Sequence, residues 1–462
     1  MPMWHCNFSR CRQAAVRIDG DCVLCNRHLC AKHIQPEFYD CLAWDDGEDY
    51  VFAAFEARED RTLELFNKIN TKALISRASE LRGGMPCTVP DLEYDAETRL
   101  SVMGGMNYHI EITFNDGVQW MARIRQADAT SPPPKVRDYI MKSEIATYMF
   151  LEKTKLPAPK LFDYAFEGDP GNQVGVCYMF IEKLPGTTNI GLIHDASNAD
   201  KIKIMNQIAD SYIELHKHPF KQLGSLALDK KPTVGPFTRD QGIDFERDLM
   251  RPIGPCSSLN EHRTSQLKLI LDLTLRGEMY ARRPIDGYLL HRYLLDLVPK
   301  ASPKIAPTDK GKFFLKHADD KGDHILVDDH GNVTGIIDWE WAFITSPAIA
   351  FNSPMGFFDV GDFYVGENKL GEHEAAFAEV LRKKGRQDLA DYVLNGKLQH
   401  RFNFLCGYDF NLDWDGFKGI FKGLRKLVDE EDGPVEWEEW KRKALEEYSD
   451  DVGLKKLLRK KK

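Results

Sequence analysis

No stretch of the 462 residues reaches the roughly 18 consecutive apolar positions that a membrane-crossing helix needs, so no span is expected. The opening residues, Met1-Pro2-Met3-Trp4-His5-Cys6, lack the basic start and apolar run of a secretory leader. The expectation is an intracellular, cytoplasmic protein, with a nuclear location left open. Positive charge is in deficit: 62 Lys and Arg face 71 Asp and Glu, a formal −9, which argues against nucleic acid as the main partner. No internal repeat stands out, and low complexity is confined to the end of the chain, where residues 446–462 read as a frayed, solvated basic tail. Cysteine is scarce outside the N-terminus; Cys87, Cys177, Cys256 and Cys406 are isolated and read as reduced thiols.

The other six cysteines lie within the first 41 residues. Cys22, Cys25, Cys30 and His33 form a Cys-x2-Cys-x4-Cys-x2-His series, preceded by Cys6 and Cys11. Residues 1–42 are too few to be held by an apolar core, and thiolate with imidazole at these spacings is the donor set of tetrahedral zinc. A Zn2+ module is therefore expected there, of a kind that binds a protein partner rather than performing a reaction.

From 43 to 95 the chain reads as a helical linker and the entry to a first lobe. Leu74, Ile75, Ala78 and Leu81 share a helical face, and Gly83-Gly84 supplies the stop. Residues 96–184 read as hairpin, helix, hairpin. Tyr108–Phe114 and Val118–Ile124 flank Asn115-Asp116-Gly117, a helix follows with Val136, Ile140, Ile145, Tyr148 and Leu151 on its apolar side, and Lys160–Phe166 pairs with Val174–Ile181. The remainder, 185–445, is mostly helical, beginning with a helix marked by Ile202, Met205, Ile208, Tyr212 and Leu215. Residues 224–262 have weak periodicity and no assigned structure. The fold class is α+β: a small antiparallel sheet with one packed helix, then a larger helical lobe.

The densest chemistry lies between Phe313 and Trp341. Ile325–Val327 and Val333–Ile337 flank an Asp-His-Gly-Asn turn and form a hairpin. Its pairing makes His324 and Asp338 neighbours, with Asp319 a loop away. One carboxylate to orient or deprotonate a hydroxyl, and another to hold a metal ion against nucleotide phosphates, is the arrangement phosphoryl transfer uses. Asp319 suits the first role and Asp338 the second.

This segment resembles the catalytic loop and metal-binding strand of the aminoglycoside and choline kinase type phosphotransferases, whose pattern runs His-Gly-Asp, four residues, Asn, then Ile-Asp-Trp-Glu. The likeness is closest to the fungal branch. It implies a bilobal, protein-kinase-like fold, ATP or GTP as donor with Mg2+ or Mn2+, and a small-molecule hydroxyl as acceptor. It further implies Asp319 as base, His317 as the structural histidine before it, and Asp338 as metal ligand. Arg123 stands where the family often has a phosphate-contacting lysine, with Glu144 as its ion-pair partner. Gly104 and Gly105 would approach phosphate, and Glu182 and Leu184 would form the adenine hinge. Ala318 replaces the usual glycine, and His324 replaces the asparagine that helps hold magnesium, an ion that prefers oxygen. An alternative reading follows from that replacement: a catalytically impaired pseudokinase serving as a nucleotide-binding or zinc-dependent scaffold. No Asp-Phe-Gly is present, which separates the chain from protein kinases. The N-terminal run resembles cross-brace zinc fingers of the stress-associated type. That likeness implies one ion shared by Cys6, Cys11, Cys30 and His33, with Cys22 and Cys25 drawing further ligands from His5, His28 and Cys41.

Overall fold

The structure, a computed structural model, describes residues 2–17, 20–22, 24–35, 37–38, 41, 48–95, 106–127, 131–188, 197–246, 249–305, 311–410, 413–428 and 435–460. Gly104 and Gly105 lie outside the described residues.

Strands β1 (Asp21–Cys22) and β2 (Arg27–His28) belong to the N-terminal module. The first lobe is a five-stranded antiparallel sheet of β3 (Cys87–Thr88), β4 (Asn107–Phe114), β5 (Gln119–Arg125), β6 (Leu161–Ala165) and β7 (Tyr178–Glu182), in the order β3-β4-β5-β7-β6. Alternation in β4 puts Ile110, Ile112 and Phe114 inside, and Gly117 turns the hairpin with φ 85°. Helix Pro134–Leu151 packs by Val136, Ile140, Ile145, Tyr148 and Leu151, all at most 1% exposed, so its expected apolar face is the buried one. Helix Thr71–Leu81 buries Leu74 and Ala78, and Gly83 and Gly84 follow with positive φ. The second strand of the second hairpin begins later than expected, at Tyr178, because 170–177 is taken up by a turn that Asn172 ties to Phe166 O and Val176 O.

The second lobe begins past Glu182. Its first helix, Asn198–Leu215, is capped by Ser197 and buries Ile204, Met205, Ile208 and Ala209. Ile202 is 43% exposed, so the expected stripe is out of phase there; Ile204 falls on the buried side and Ile202 does not. The unassigned 224–262 holds two small hairpins, β9 (Ser225–Ala227) with β10 (Thr233–Gly235) and β11 (Ile243–Glu246) with β12 (Leu249–Pro252), before helix Leu259–Arg276. The frayed tail is corrected as well. Residues Val452–Lys460 form a helix whose Leu454 and Leu457 are buried, and Tyr448 and Tyr288 hydroxyls donate to Asp296 and Asp451. Apolar residues three apart in an otherwise basic segment gave it a face to bury.

The N-terminal module docks on both lobes. Arg17 is buried against Glu278 at 3.1 Å and donates to Ile243 O at 2.6 Å. Met3 packs with Val136, Ile140 and Ile243, so it touches the helix that carries Glu144.

Candidate active site

Two strand pairs bring the site together. β13 (Phe314–Lys316) pairs with β16 (Phe343–Thr345), and between them in sequence β14 (Ile325–Val327) pairs with β15 (Val333–Ile336). The loops 317–324 and 337–342 each join one pair to the other, so they run side by side. Ile337 N–H donates to His324 O at 2.9 Å, and His317 Nε2 bonds Ile337 O at 2.9 Å. The hairpin expected from sequence is therefore present, with β8 (Thr187–Thr188) added on the free side of β14.

Asp319 and Asp338 are about half exposed, at 48% and 54% for their side chains, whereas His317, Asp320 and His324 beneath them are buried. His317 orients the loop, accepting from Asp319 N–H through Nδ1 at 3.2 Å and meeting the edge of Trp339 at 4.8 Å. Trp339 is held by its own Nε1 donating to Ile336 O at 2.8 Å. Asp338 and Trp341 both adopt positive φ, near 60°, a conformation that costs an L-residue energy and turns the Asp338 carboxylate out of the strand line.

Arg123 projects from β5 into a ring of carboxylates. It donates to Glu144 at 2.5 Å, Asp338 at 2.6 Å and Glu340 at 3.1 Å. Arg125 pairs with the other oxygen of Glu340, and Asn107 donates at 3.2 Å to the oxygen that Arg123 holds. Burial pushes the Glu144 carboxyl up, to about 8, while Arg123 pulls it back. Burial works in the same upward direction on Asp338, but there Arg123 outweighs it and holds the carboxyl below its ordinary value. Three N–H groups, Arg123 Nε and Arg125 Nε and Nη2, are buried without a hydrogen-bond partner. Buried guanidinium donors left over in this way suit an incoming oxyanion such as phosphate.

His324 stacks on His317 at 4.1 Å. Burial pushes its pKa down to about 2, so the ring is neutral, and its Nδ1 has no hydrogen-bond partner. Asp323 ion-pairs with Lys321 at 3.1 Å, and Lys321 also reaches Asp319 at 2.7 Å. Lys321, Arg125 and Glu340 were not singled out from sequence. The signal for Lys321 is a cation two residues beyond the candidate base; for Glu340, its place two residues beyond Asp338. Glu182 is the last residue of β7, and Leu184 lies two residues beyond it. Glu182 N–H bonds Lys160 O at 2.9 Å, and Leu184 packs on Gly335, where a Cβ would come within 2.7 Å of its Cδ1.

In the N-terminal module the donors sort into two groups: Cys6, Cys11, Cys30 and His33, and Cys22, Cys25 and Cys41, each within 4.8 Å of one another. His33 Nδ1 lies 3.4 Å from Cys6 Sγ and 3.5 Å from Cys30 Sγ, and Cys11 Sγ is 4.0 Å from Cys30 Sγ. A tetrahedron with bonds of about 2.0–2.3 Å has edges of about 3.3–3.8 Å, so this set fits zinc. The Cys22–Cys25–Cys30–His33 series is thus split between two groups, because β1 and β2 turn Cys22 and Cys25 away from Cys30. His28 is not in the second group; its Nδ1 bonds Asp21 at 3.1 Å and its ring stacks on Trp4.

A curated relative, the Clavilactone A biosynthesis cluster protein Y of Ampulloclitocybe clavipes, is 22% identical over 311 residues, 60% of this chain and 71% of that protein. Among solved structures, the GDP complex of aminoglycoside 2'-phosphotransferase-IIIa is 16% identical and covers 83% of this chain and 99% of that one, with a TM-score of 0.41. Macrolide 2'-phosphotransferase type I is 14% identical over 79% and 99%, with a TM-score of 0.36. Residues 118–351, from the turn before β5 through the loops 317–324 and 337–342, match the APH phosphotransferase enzyme family. With that span covering about half of its 462 residues, the chain belongs to the APH phosphotransferase enzyme family.

Proposed function

We propose that the protein moves the terminal phosphate of ATP or GTP to a hydroxyl of a small molecule. The observation that carries this reading is the side-by-side run of loops 317–324 and 337–342, which leaves Asp319 and Asp338 half exposed over a buried support. Asp319 accepts the proton of the acceptor hydroxyl as its oxygen bonds the terminal phosphorus, and the bond from that phosphorus to the bridging oxygen breaks to release the nucleoside diphosphate. Lys321, beside Asp319, offsets negative charge on the transferred group. Arg123 and Arg125 receive phosphate oxygens through their unpartnered N–H groups, with Glu144 and Glu340 fixing their orientation. The backbone at Glu182 and Leu184 meets the base, and contact with phosphate is the role the family likeness gives Gly104 and Gly105.

Asp338, with an exposed oxygen donor, fits Mg2+ or Mn2+, an ion that supplies charge neutralisation to the phosphates when bound. His324, buried and neutral, offers one ring nitrogen, a donor better suited to manganese than to magnesium. In the N-terminal module, Cys6, Cys11, Cys30 and His33 hold one Zn2+, and Cys22 and Cys25 contribute to a second site with Cys41. That module is a contact surface for a protein partner as well as a brace between the lobes.

The test is nucleotide binding followed by thermal shift, with magnesium and then manganese. Metal-dependent stabilisation that is lost in Asp338→Ala is expected; equal stabilisation in that variant removes the assignment of Asp338. A scaffold reading is favoured by the burial of His324 in the asparagine position. It predicts that His324→Asn restores turnover to a silent protein, whereas the enzyme reading predicts turnover before any change.

A further inference from the structure

Beside the catalytic loop lies a cavity of about 450 Å³, lined in part by His317, Ala318 and Asp320, the residues on either side of Asp319. It reaches between the β11–β12 hairpin, helix Leu259–Arg276 and helix Lys397–Leu405. If the protein is the phosphotransferase proposed above, this is where an acceptor presents its hydroxyl.

The charges around it are unequal. Arg239, Arg263 and Lys316 line it, and Asp320 is the one carboxylate among the described lining residues. Asp320 is already committed, since Lys316 pairs with it, and Lys316 also donates to Asn352 at 3.2 Å. Arg263 has no such counter-ion. It is 6% exposed, donates one terminal nitrogen to Asn403 Oδ1, lies over the Phe402 ring at 4.4 Å, and its Nε has no hydrogen-bond partner. Among the groups that act on its charge there is no carboxylate: burial lowers its pKa to about 10, and the Cys406 thiol alone acts against that. Two more buried polar atoms on the same walls, His262 Nδ1 and His400 Nε2, also lack partners. His262 stacks flat on Phe237 at 3.9 Å, so an aromatic wall adjoins these donors.

A buried cation without a counter-ion is costly, and nature seldom retains one without a use. An occupant bearing negative charge would supply what Arg263 lacks; a polycation would add to the excess positive charge. We infer that the phosphate acceptor is a hydroxylated organic anion with an apolar or aromatic skeleton, whose carboxylate or phosphate pairs with Arg263. In the transfer its hydroxyl oxygen bonds the terminal phosphorus of the nucleotide, its proton passes to Asp319, and the nucleoside diphosphate departs.

The test uses the full chain and probes that share a skeleton and differ in charge: 4-hydroxyphenylacetate, 4-hydroxyphenyl phosphate, 4-hydroxybenzyl alcohol and tyramine, each followed by calorimetry. The expected result is that an anion binds at least about tenfold more tightly than tyramine, as one opposed charge pair at short range allows. Arg263→Gln is expected to abolish that preference. Because this substitution alters a buried residue, Arg239→Gln, at an exposed position, serves as a second variant and is expected to reduce the preference without unfolding. The carboxylate and phosphate probes separate the two anion chemistries. Tighter binding of tyramine, an anion preference that survives both variants, or no binding by either anion would overturn the inference. ATP binding, measured in parallel, reports separately on the phosphotransferase reading, because Arg263, held by Asn403 and Phe402, shares no partner with the Arg123 cluster.

Discussion

Acidification from pH 7 to pH 5 is expected to cost the fold about 5 kcal/mol, chiefly through four histidines that burial keeps neutral. Burial depresses the pKa values of His262, His291, His324 and His400 to about 3, 4, 2 and 3. In the unfolded chain each titrates near 6.5. Between pH 6.5 and the folded values the unfolded state therefore binds protons that the native state does not. The stability from these groups is fully present above pH 6.5 and drains as the pH falls. Each ring loses about 2 kcal/mol between pH 7 and 5, together about 8 kcal/mol. Glu144 opposes them: burial raises its folded pKa, to about 8, so the native state takes up a proton in the same window and regains about 3 kcal/mol. The carboxyls held low, such as Asp338 and Asp320, lose their contribution only further down. Urea unfolding at both pH values, followed by tryptophan fluorescence, measures the difference. His324→Asn is expected to lower the pH sensitivity by about 2 kcal/mol. Equal stability at pH 5 and 7, or a His324 ring that titrates near 6 in an NMR titration, would refute the reasoning.

Arg123→Ala leaves Glu144 buried without a guanidinium and Glu340 with Arg125 alone, and is expected to destabilise by about 3 kcal/mol in denaturant titration, with Arg123→Lys milder because it keeps the charge and loses the fork. Arg17→Ala breaks the buried pair with Glu278, and cleavage within residues 1–47 under limited proteolysis is expected to accelerate at least tenfold. Cys30→Ser removes a donor from the four-residue group, and metal analysis of the full chain is expected to show one zinc fewer than in the parent.

The parts legible in the sequence were those set by local rules. The β4–β5 hairpin follows from alternation around Asn115-Asp116-Gly117, and the Pro134–Leu151 helix from its apolar spacing; both elements are where those patterns put them. The Asp319–Asp338 neighbourhood was legible because both loops border the same β14–β15 hairpin. What escaped notice depends on partners far away in sequence. Glu340 matters because β5 delivers Arg123 and Arg125 to it from more than 200 residues upstream. Arg263 stands out only when folding leaves it without a carboxylate. The terminal helix was misread because its basic residues dominate its composition, whereas Leu454 and Leu457 decide where it packs. In the N-terminal module, the cross-brace likeness implied that Cys6, Cys11, Cys30 and His33 form one set and Cys22 and Cys25 another, and the donors sort that way, with Cys41 rather than His28 joining the second.

The central claim is tested most directly by following phosphorus. The parent protein and Asp319→Asn are each incubated with ATP, magnesium or manganese, and a mixture of hydroxylated organic acids, and phosphorus-31 resonances are recorded over time. The account predicts nucleoside diphosphate together with a new phosphomonoester signal from the parent, and neither from Asp319→Asn although it still binds ATP. Equal product from both proteins, or ATP left intact by the parent with every acceptor and both metals, would contradict it.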